Sequence, residues 1–207
     1  MSRIILASKS PRRFELLSMT GLSFEVRDAH VDEDAVFASV MQSFATEDVR
    51  TDMYPVAERV ACAQASAKAA AALSNVTDDD TVVIGSDTVV VTESEILGKP
   101  KDEDDARRML TLLSGKTHRV YTGVSIQSKK ESRNFSSFAD VRFHRLDDAQ
   151  QELIESYIAS GSPMDKAGAY GIQDTGSLLI DSISGDYYAV VGLPVARVYR
   201  EILSFLG

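Results

Sequence analysis

Apolar runs of strand length alternate along this chain with apolar residues at helical spacing, and that alternation admits few architectures. Arg3 to Ala7 contains Ile4-Ile5-Leu6, a run suited to a short buried strand and too short for a helix. Ser8-Lys9-Ser10-Pro11 follows, with Ser10 placed as an N-cap and Pro11 at the first helical position. That helix runs through Phe14, Leu17 and Met19 to a stop at Gly21, and Phe24 to Arg27 reads as the next strand. A weak helical pattern covers Val36 to Phe44, and Thr46 to Pro55 reads as a loop. Pro55 opens a long helix to about Leu73, with Val56, Val60, Ala63, Ala67 and Ala70 as its apolar stripe. Val82-Val83-Ile84 predicts a strand over Thr81 to Ser86, and Val89-Val90-Val91 forms a second apolar run beyond it. Asp102 caps a helix carrying Ala106, Met109, Leu110 and Leu113. Val120 to Gln127 and Phe135 to Phe143 flank a charged turn and predict a hairpin. A helix from Asp147, a strand over Leu178 to Ile183 and a helix from Pro194 complete the pattern. Interleaved helices and strands with one hairpin predict an α/β fold on a mixed central sheet flanked by helices, as one domain over residues 1–207.

Composition removes several function classes. A chain of 207 residues can bury a full core without disulfides or a structural metal. Cys62 is the only cysteine, which rules out a disulfide within the chain and a zinc site of paired cysteines, and suits a reducing compartment. The balance of 31 acids against 22 bases gives a net charge of -9, which repels a phosphate backbone and argues against general nucleic-acid binding. A small phosphorylated ligand needs only a local cluster of cations. No run approaches the ~18 to 20 apolar residues of a membrane span. The apolar start from Met1 soon meets Lys9, Arg12 and Arg13, so no secretory signal is expected and the expected location is cytoplasmic. A homodimer stays open.

Several familiar motifs fail. There is no G-x-G-x-x-G and no G-x-S-x-G. Gly115-Lys116-Thr117 resembles the end of a P-loop, but the earlier glycine is replaced by Leu110. His30, His118 and His144 are scattered, with no helical pair for zinc.

Four segments carry polar groups where strands are expected to end, the usual ligand position in α/β sheets. Ser8-Lys9-Ser10-Pro11-Arg12-Arg13 brings a helix N-terminus, free backbone N–H groups and three cations to one place. Read alone it is more simply an ordinary capped helix with surface arginines. Gly85-Ser86-Asp87-Thr88 offers an acid to a cleft, or a turn between two strands. Gly98-Lys99-Pro100-Lys101 is a turn presenting Lys99 inward, or to solvent. Asp165-Lys166-Ala167-Gly168-Ala169-Tyr170-Gly171-Ile172-Gln173 lets the backbone pass close to a ligand at two glycines, and its Tyr170 and Ile172 argue for an ordered loop.

In order and spacing these segments closely resemble the Maf-like nucleotide pyrophosphatases. The resemblance also takes in Glu33, Ser114-Gly115-Lys116-Thr117-His118 and Val190-Val191-Gly192-Leu193-Pro194, so it spans nearly the whole chain. It implies two lobes around a deep cleft, a fold similar to the inosine triphosphate pyrophosphatases, and cleavage of a nucleoside triphosphate to monophosphate and pyrophosphate. It implies a divalent cation, Mg²⁺ or Mn²⁺. Ser10-Pro11-Arg12-Arg13 and Tyr170-Gly171-Ile172-Gln173 look like the dTTP/UTP-cleaving branch. The resemblance implies that Asp87, Glu33 and Lys99 are catalytic and that Glu33 and Asp87 hold the metal. Metal ligation and base action by Asp87 stay unseparated. Ser8, Ser10, Arg12, Arg13, Thr88, Lys166 and Gln173 are the substrate-binding set. Within it the Gln173 amide matches the imide edge of uracil or thymine.

The chain departs from this pattern in places. Lys9 stands where a small residue is common. The long helix carries Gln64 near the position of the family's lysine, with Lys68 one turn later on the same face. Either Lys68 substitutes from its shifted position, or it is a surface charge and Gln64 makes the contact. The stretch from Ala38 to Pro55 reads as an insertion that covers the cleft. Two other functions stay open: a pyrophosphatase for modified nucleotides such as methylated guanine or cytosine triphosphates, and a nucleotide-binding cell-division regulator with weak hydrolysis.

Overall fold

The fold is that of a computed structural model, which describes residues 3–44 and 52–206. The chain runs β1 (Ile4–Leu6), α1 (Pro11–Ser18), β2 (Glu25–Val26), α2 (Glu33–Phe44), α3 (Tyr54–Leu73), β3 (Val82–Val91) and β4 (Ile96–Leu97). It continues α4 (Glu103–Leu113), β5 (Thr117–Gln127), β6 (Ser132–Phe143), α5 (Asp148–Ala159), β7 (Ile180–Gly185), α6 (Tyr187–Val191) and α7 (Val195–Leu206). Among the described residues the strands form one sheet in the order β2-β1-β3-β5-β6-β7, with β4 also on β3. β1 is parallel to β2 and β3, and the other pairings are antiparallel. The mixed sheet flanked by helices is as the pattern predicts.

Local signals explain most boundaries. The Ser10 hydroxyl accepts from the Arg13 amide, Asp102 from the Asp105 amide and Asp147 from the Gln150 amide, so each helix begins at a side chain that satisfies one of its free N–H groups. The five residues of α6 are too few to show a helical period, and its sole sequence signal is Asp186, which accepts from the Tyr188 and Ala189 amides. Leu178, expected in a strand, lies in a 3₁₀ turn over Thr175–Leu179, and the strand starts at Ile180.

Two expectations are corrected. Val82 to Val91 is one continuous strand, paired with β5 at every residue from Val83 to Val91, so Gly85-Ser86-Asp87-Thr88 is neither a turn nor a strand end. The stripe that α3 buries is also rotated from the expected one. Ala57, Ala61, Ala65 and Ala69 are fully buried, whereas Ala70 is exposed. An alanine-rich helix is similarly apolar on many sides, so spacing could not select the face. Close approach does: a Cβ on Gly85 or Gly123 would collide with the α3 backbone, and alanines there let helix and sheet meet.

α3 covers one face of the sheet through Val56, Val60 and these alanines. α1 and α7 cover the other, with Leu16, Leu17, Val198 and Ile202 against Ile4, Leu6, Val82 and Ile84. α4 and α5 close a third cluster around Phe143 and Tyr157. The expected loop over Thr46 to Pro55 and the insertion expected over Ala38 to Pro55 fall partly outside the described residues; within them, the chain to Phe44 continues α2 and Tyr54 begins α3. Among the described residues, no helix is long and apolar enough to cross a membrane.

Candidate active site

The site arises from a gap along one edge of β3. On that edge β1 pairs with Val82–Ile84 and β4 with Val90 and Val91. Among the described residues, 85–89 have no strand partner there. β1 diverges at Ala7 into the Ser8–Ser10 turn, and a cleft of about 870 Å³ opens in the space. Asp87 and Thr88 project to opposite faces of β3, yet both line this cleft because it wraps around the free edge. Both therefore reach the ligand space from mid-strand.

Opposite Asp87 stand α2 and α3. Glu33 is the first residue of α2, and Lys68 lies on the sheet-facing side of α3. Lys68 Nζ is 2.6 Å from Asp87 Oδ1 and 2.6 Å from Glu33 Oε1, so one ammonium bridges both carboxylates. The Lys68 side chain is only 12% exposed, which is not the surface charge that one reading of the sequence allowed. Gln64, also buried, donates its amide to the Glu33 backbone carbonyl at 3.4 Å. The two residues thus have separate roles, Gln64 holding the start of α2 and Lys68 holding the carboxylates. Burial pushes the Glu33 carboxyl up, but the hydrogen bond and charge of Lys68, with Lys99 and Arg13 beyond, offset it and hold the group below its ordinary value.

Arg13 enters from α1 and is held on three sides. Its Nε donates to the Gly192 carbonyl at 2.9 Å, one terminal nitrogen to Ser8 Oγ at 3.4 Å and the other to Thr88 Oγ1 at 3.2 Å. The Ser86 hydroxyl donates to the same Gly192 carbonyl at 3.0 Å. Burial lowers the Arg13 pKa, with the Asp87 charge opposing. The proton order behind Thr88 follows from one atom. Thr122 Oγ1 lies 2.6 Å from the Ala189 carbonyl, which can only accept, so Thr122 donates there. Thr88, 2.9 Å from Thr122, must then donate to it and accept from Arg13. Thr88 therefore orients Arg13. Buried Thr122 had no sequence signal, being one polar residue in an apolar strand.

Ser8, Ser10, Arg12, Lys99 and Lys166 also line the cleft. Lys99 is exposed within it. Arg12 lies 3.7 Å from Asp165. Lys166 is held by acids of its own loop, Asp165 at 2.7 Å and Asp174 at 3.3 Å. Asp174 further accepts from the Tyr157 and Ser162 hydroxyls and the Gly176 amide, which makes this loop an ordered one. The Gly168 amide donates to the Gly98 carbonyl at 3.0 Å and joins it to the Lys99 turn. Gln173 is exposed and is not among the residues lining the cleft. Lys9 pairs with Asp28 at the rim. Beneath the loop, Tyr170 meets His118 Nε2 at 2.7 Å, in a wall that also holds Phe143.

Glu33 and Asp87 offer hard oxygen donors to one point. Among the described residues no group of three or more His, Cys, Asp and Glu gathers for a metal. Two carboxylates in a cleft also lined by lysines and arginines suit a hard divalent cation such as Mg²⁺ or Mn²⁺, which takes oxygen ligands and keeps waters.

The Maf-like protein family model matches residues 3–205. A dTTP/UTP pyrophosphatase of Bacillus cereus (strain G9842) is 44% identical over 205 residues, covering 99% of this chain and 96% of its own. A dTTP/UTP pyrophosphatase of Bacillus thuringiensis subsp. konkukian (strain 97-27) is 43% identical over the same shares.

Proposed function

The chain belongs to the Maf-like protein family, and from that premise we propose that it is a divalent-metal-dependent nucleoside triphosphate pyrophosphatase that hydrolyses dTTP and UTP to the monophosphate and pyrophosphate. The observation that carries this reading is the pairing, in one cleft, of Glu33 and Asp87 with Arg12, Arg13 and Lys99. An acidic protein that binds a triphosphate needs such a local concentration of cations. The relatives named dTTP/UTP pyrophosphatase share the whole length of the chain and supply the choice of nucleotide. The single thiol of Cys62 suits a reducing, cytoplasmic setting.

The part each residue plays follows from its placement. Arg13, fixed from three sides, presents a preorganised charge to phosphate oxygens, and Arg12 and Lys99 add charge from the same cleft. The Ser8–Ser10 turn and the start of α1 add backbone N–H groups. Glu33 and Asp87 would hold the divalent cation, which when bound neutralises charge on the phosphates. Water is the nucleophile, and the Asp87 carboxylate at the open edge of β3 accepts its proton as the α–β anhydride opens. Most of the acceleration comes from positioning and charge stabilisation.

A panel of canonical and modified nucleotides, assayed separately for pyrophosphate and inorganic phosphate, tests the proposal. dTTP and UTP should release pyrophosphate, with dCTP and purine nucleotides clearly poorer. Inorganic phosphate and a diphosphate as products would refute α–β cleavage. A methylated purine or cytosine nucleotide as best substrate would refute the branch.

A further inference from the structure

We propose that Lys68 is the resident cation of the Glu33–Asp87 pair, an ammonium that a divalent ion must displace, so that the pair resists free metal and accepts it together with a polyphosphate. The proposal rests on the function given above for its ligand and on geometry for its mechanism. Nζ sits 2.6 Å from one oxygen of each carboxylate, in the space between them. A Mg²⁺ ion sharing those oxygens would lie about 2.1 Å from each. An ammonium and a metal ion cannot both occupy that space, and two cations crowded there repel each other.

The surroundings sharpen the competition. The Lys68 and Asp87 side chains are each 12% exposed, against 47% for Glu33, so water reaches the exchange chiefly from the Glu33 side. The backbone of α3 packs directly on Gly85 and Gly123, and its buried alanines hold it there. Lys68 must therefore leave by swinging its side chain. In the free protein that swing gives up two ion pairs, with Lys99 and Arg13 already supplying positive charge nearby. A bound triphosphate changes the balance. Its oxygens offer the displaced ammonium new partners and offer the incoming metal its missing ligands. Metal and nucleotide should then bind with positive coupling, and by linkage each must raise the affinity of the other equally. Gln64 takes no part in this exchange, since its contact is to the Glu33 backbone.

Binding of Mn²⁺ alone to the full chain, followed by electron paramagnetic resonance, tests this without turnover. Without nucleotide, Lys68→Met should bind Mn²⁺ about tenfold more tightly than the wild type, within the usual range of coupling between sites. Adding Asp87→Asn to Lys68→Met should abolish that gain. The non-hydrolysable α,β-imido analogue of dTTP should tighten Mn²⁺ binding in the wild type more than in Lys68→Met. Equal Mn²⁺ affinity in wild type and Lys68→Met, or weaker or absent binding in the variant, overturns the proposal. Should Lys68→Met fail to fold, Lys68→Gln carries the same comparison. Pyrophosphate release by the wild type is scored separately, so a wrong role for Lys68 and a wrong reaction give different results.

Discussion

A Cβ on Gly85 would lie 2.1 Å from the carbonyl oxygen of Ala65, so α3 rests directly on the β3 backbone at that point. Gly85 is two residues before Asp87 and on the same face of the strand. Ala65 is three residues before Lys68, nearly one helical turn. The contact that lets helix and sheet touch therefore also sets how near the ammonium comes to the carboxylate.

Gly85→Ala should accordingly harm both stability and activity. Overpacking of this kind costs about 1–3 kcal/mol, and here the obstacle is backbone, which yields less readily than a side chain. Urea unfolding should show a lower midpoint, and kcat should fall as α3 is pushed from Asp87. A variant with the wild-type midpoint and turnover would mean that α3 shifts freely.

Asp87→Asn keeps the shape of the side chain and removes its charge and basicity. Turnover should fall by roughly 10² or more, as for loss of a general base or metal carboxylate. Circular dichroism should report an intact fold, because the strand pairs with β5 through its backbone. Near-normal turnover in a folded Asp87→Asn protein would remove Asp87 from the chemistry.

Thr122→Val breaks the chain of hydroxyls behind Arg13, taking away the group to which Thr88 donates and the hydroxyl donor to the Ala189 carbonyl. Loss of the positioning contact, worth about 1 kcal/mol, should raise KM for dTTP roughly fivefold. Thr122→Ser keeps the hydroxyl and should restore KM. If Thr122→Ser were as impaired as Thr122→Val, packing would be the cause and the ordering of Arg13 by Thr88 would be disproved.

His118 gives a pH dependence that is separate from the cleft acids. Burial lowers its pKa from 6.5 to about 3, with the Asp140 charge opposing. The folded protein keeps it neutral, and its Nδ1 has no partner among the described residues. Between pH 3 and 6.5 the unfolded chain binds the proton and the folded chain does not, so stability rises with pH across that window and is lost on acidification. Each unit of acidification within the window costs about 1.4 kcal/mol. Unfolding midpoints at pH 6.5 and 5 should show this slope, and His118→Gln should flatten it. An equal slope in both proteins would place the titration elsewhere. Glu33, whose folded pKa is depressed, adds stability present above its unfolded value and lost only at lower pH, near and below the ordinary carboxylate range.

The local signals of this chain are strong where one residue decides. Ser10, Asp102 and Asp147 mark helix starts because a cap needs only its own next turn. The apolar runs at Val82 and Val89 mark strand because burial on both faces demands such residues. The shared pattern of Ser8 to Arg13, Asp87, Lys99 and Lys166 marks the cleft, since its lining comes from short contiguous segments. Pairing lies beyond such signals. Nothing in Gly85-Ser86-Asp87-Thr88 tells a turn from a strand until β5 supplies partners along its length. An alanine-rich α3 does not choose its buried face until Gly85 and Gly123 admit it. Sequence alone left Lys68 and Gln64 as rivals, and the tertiary structure gave each a separate contact with Glu33. The physical reason is range. Caps, propensities and motifs act within a turn or a segment, whereas an ion pair such as Lys68 with Asp87 depends on where two elements, 19 residues apart in sequence, are brought to rest.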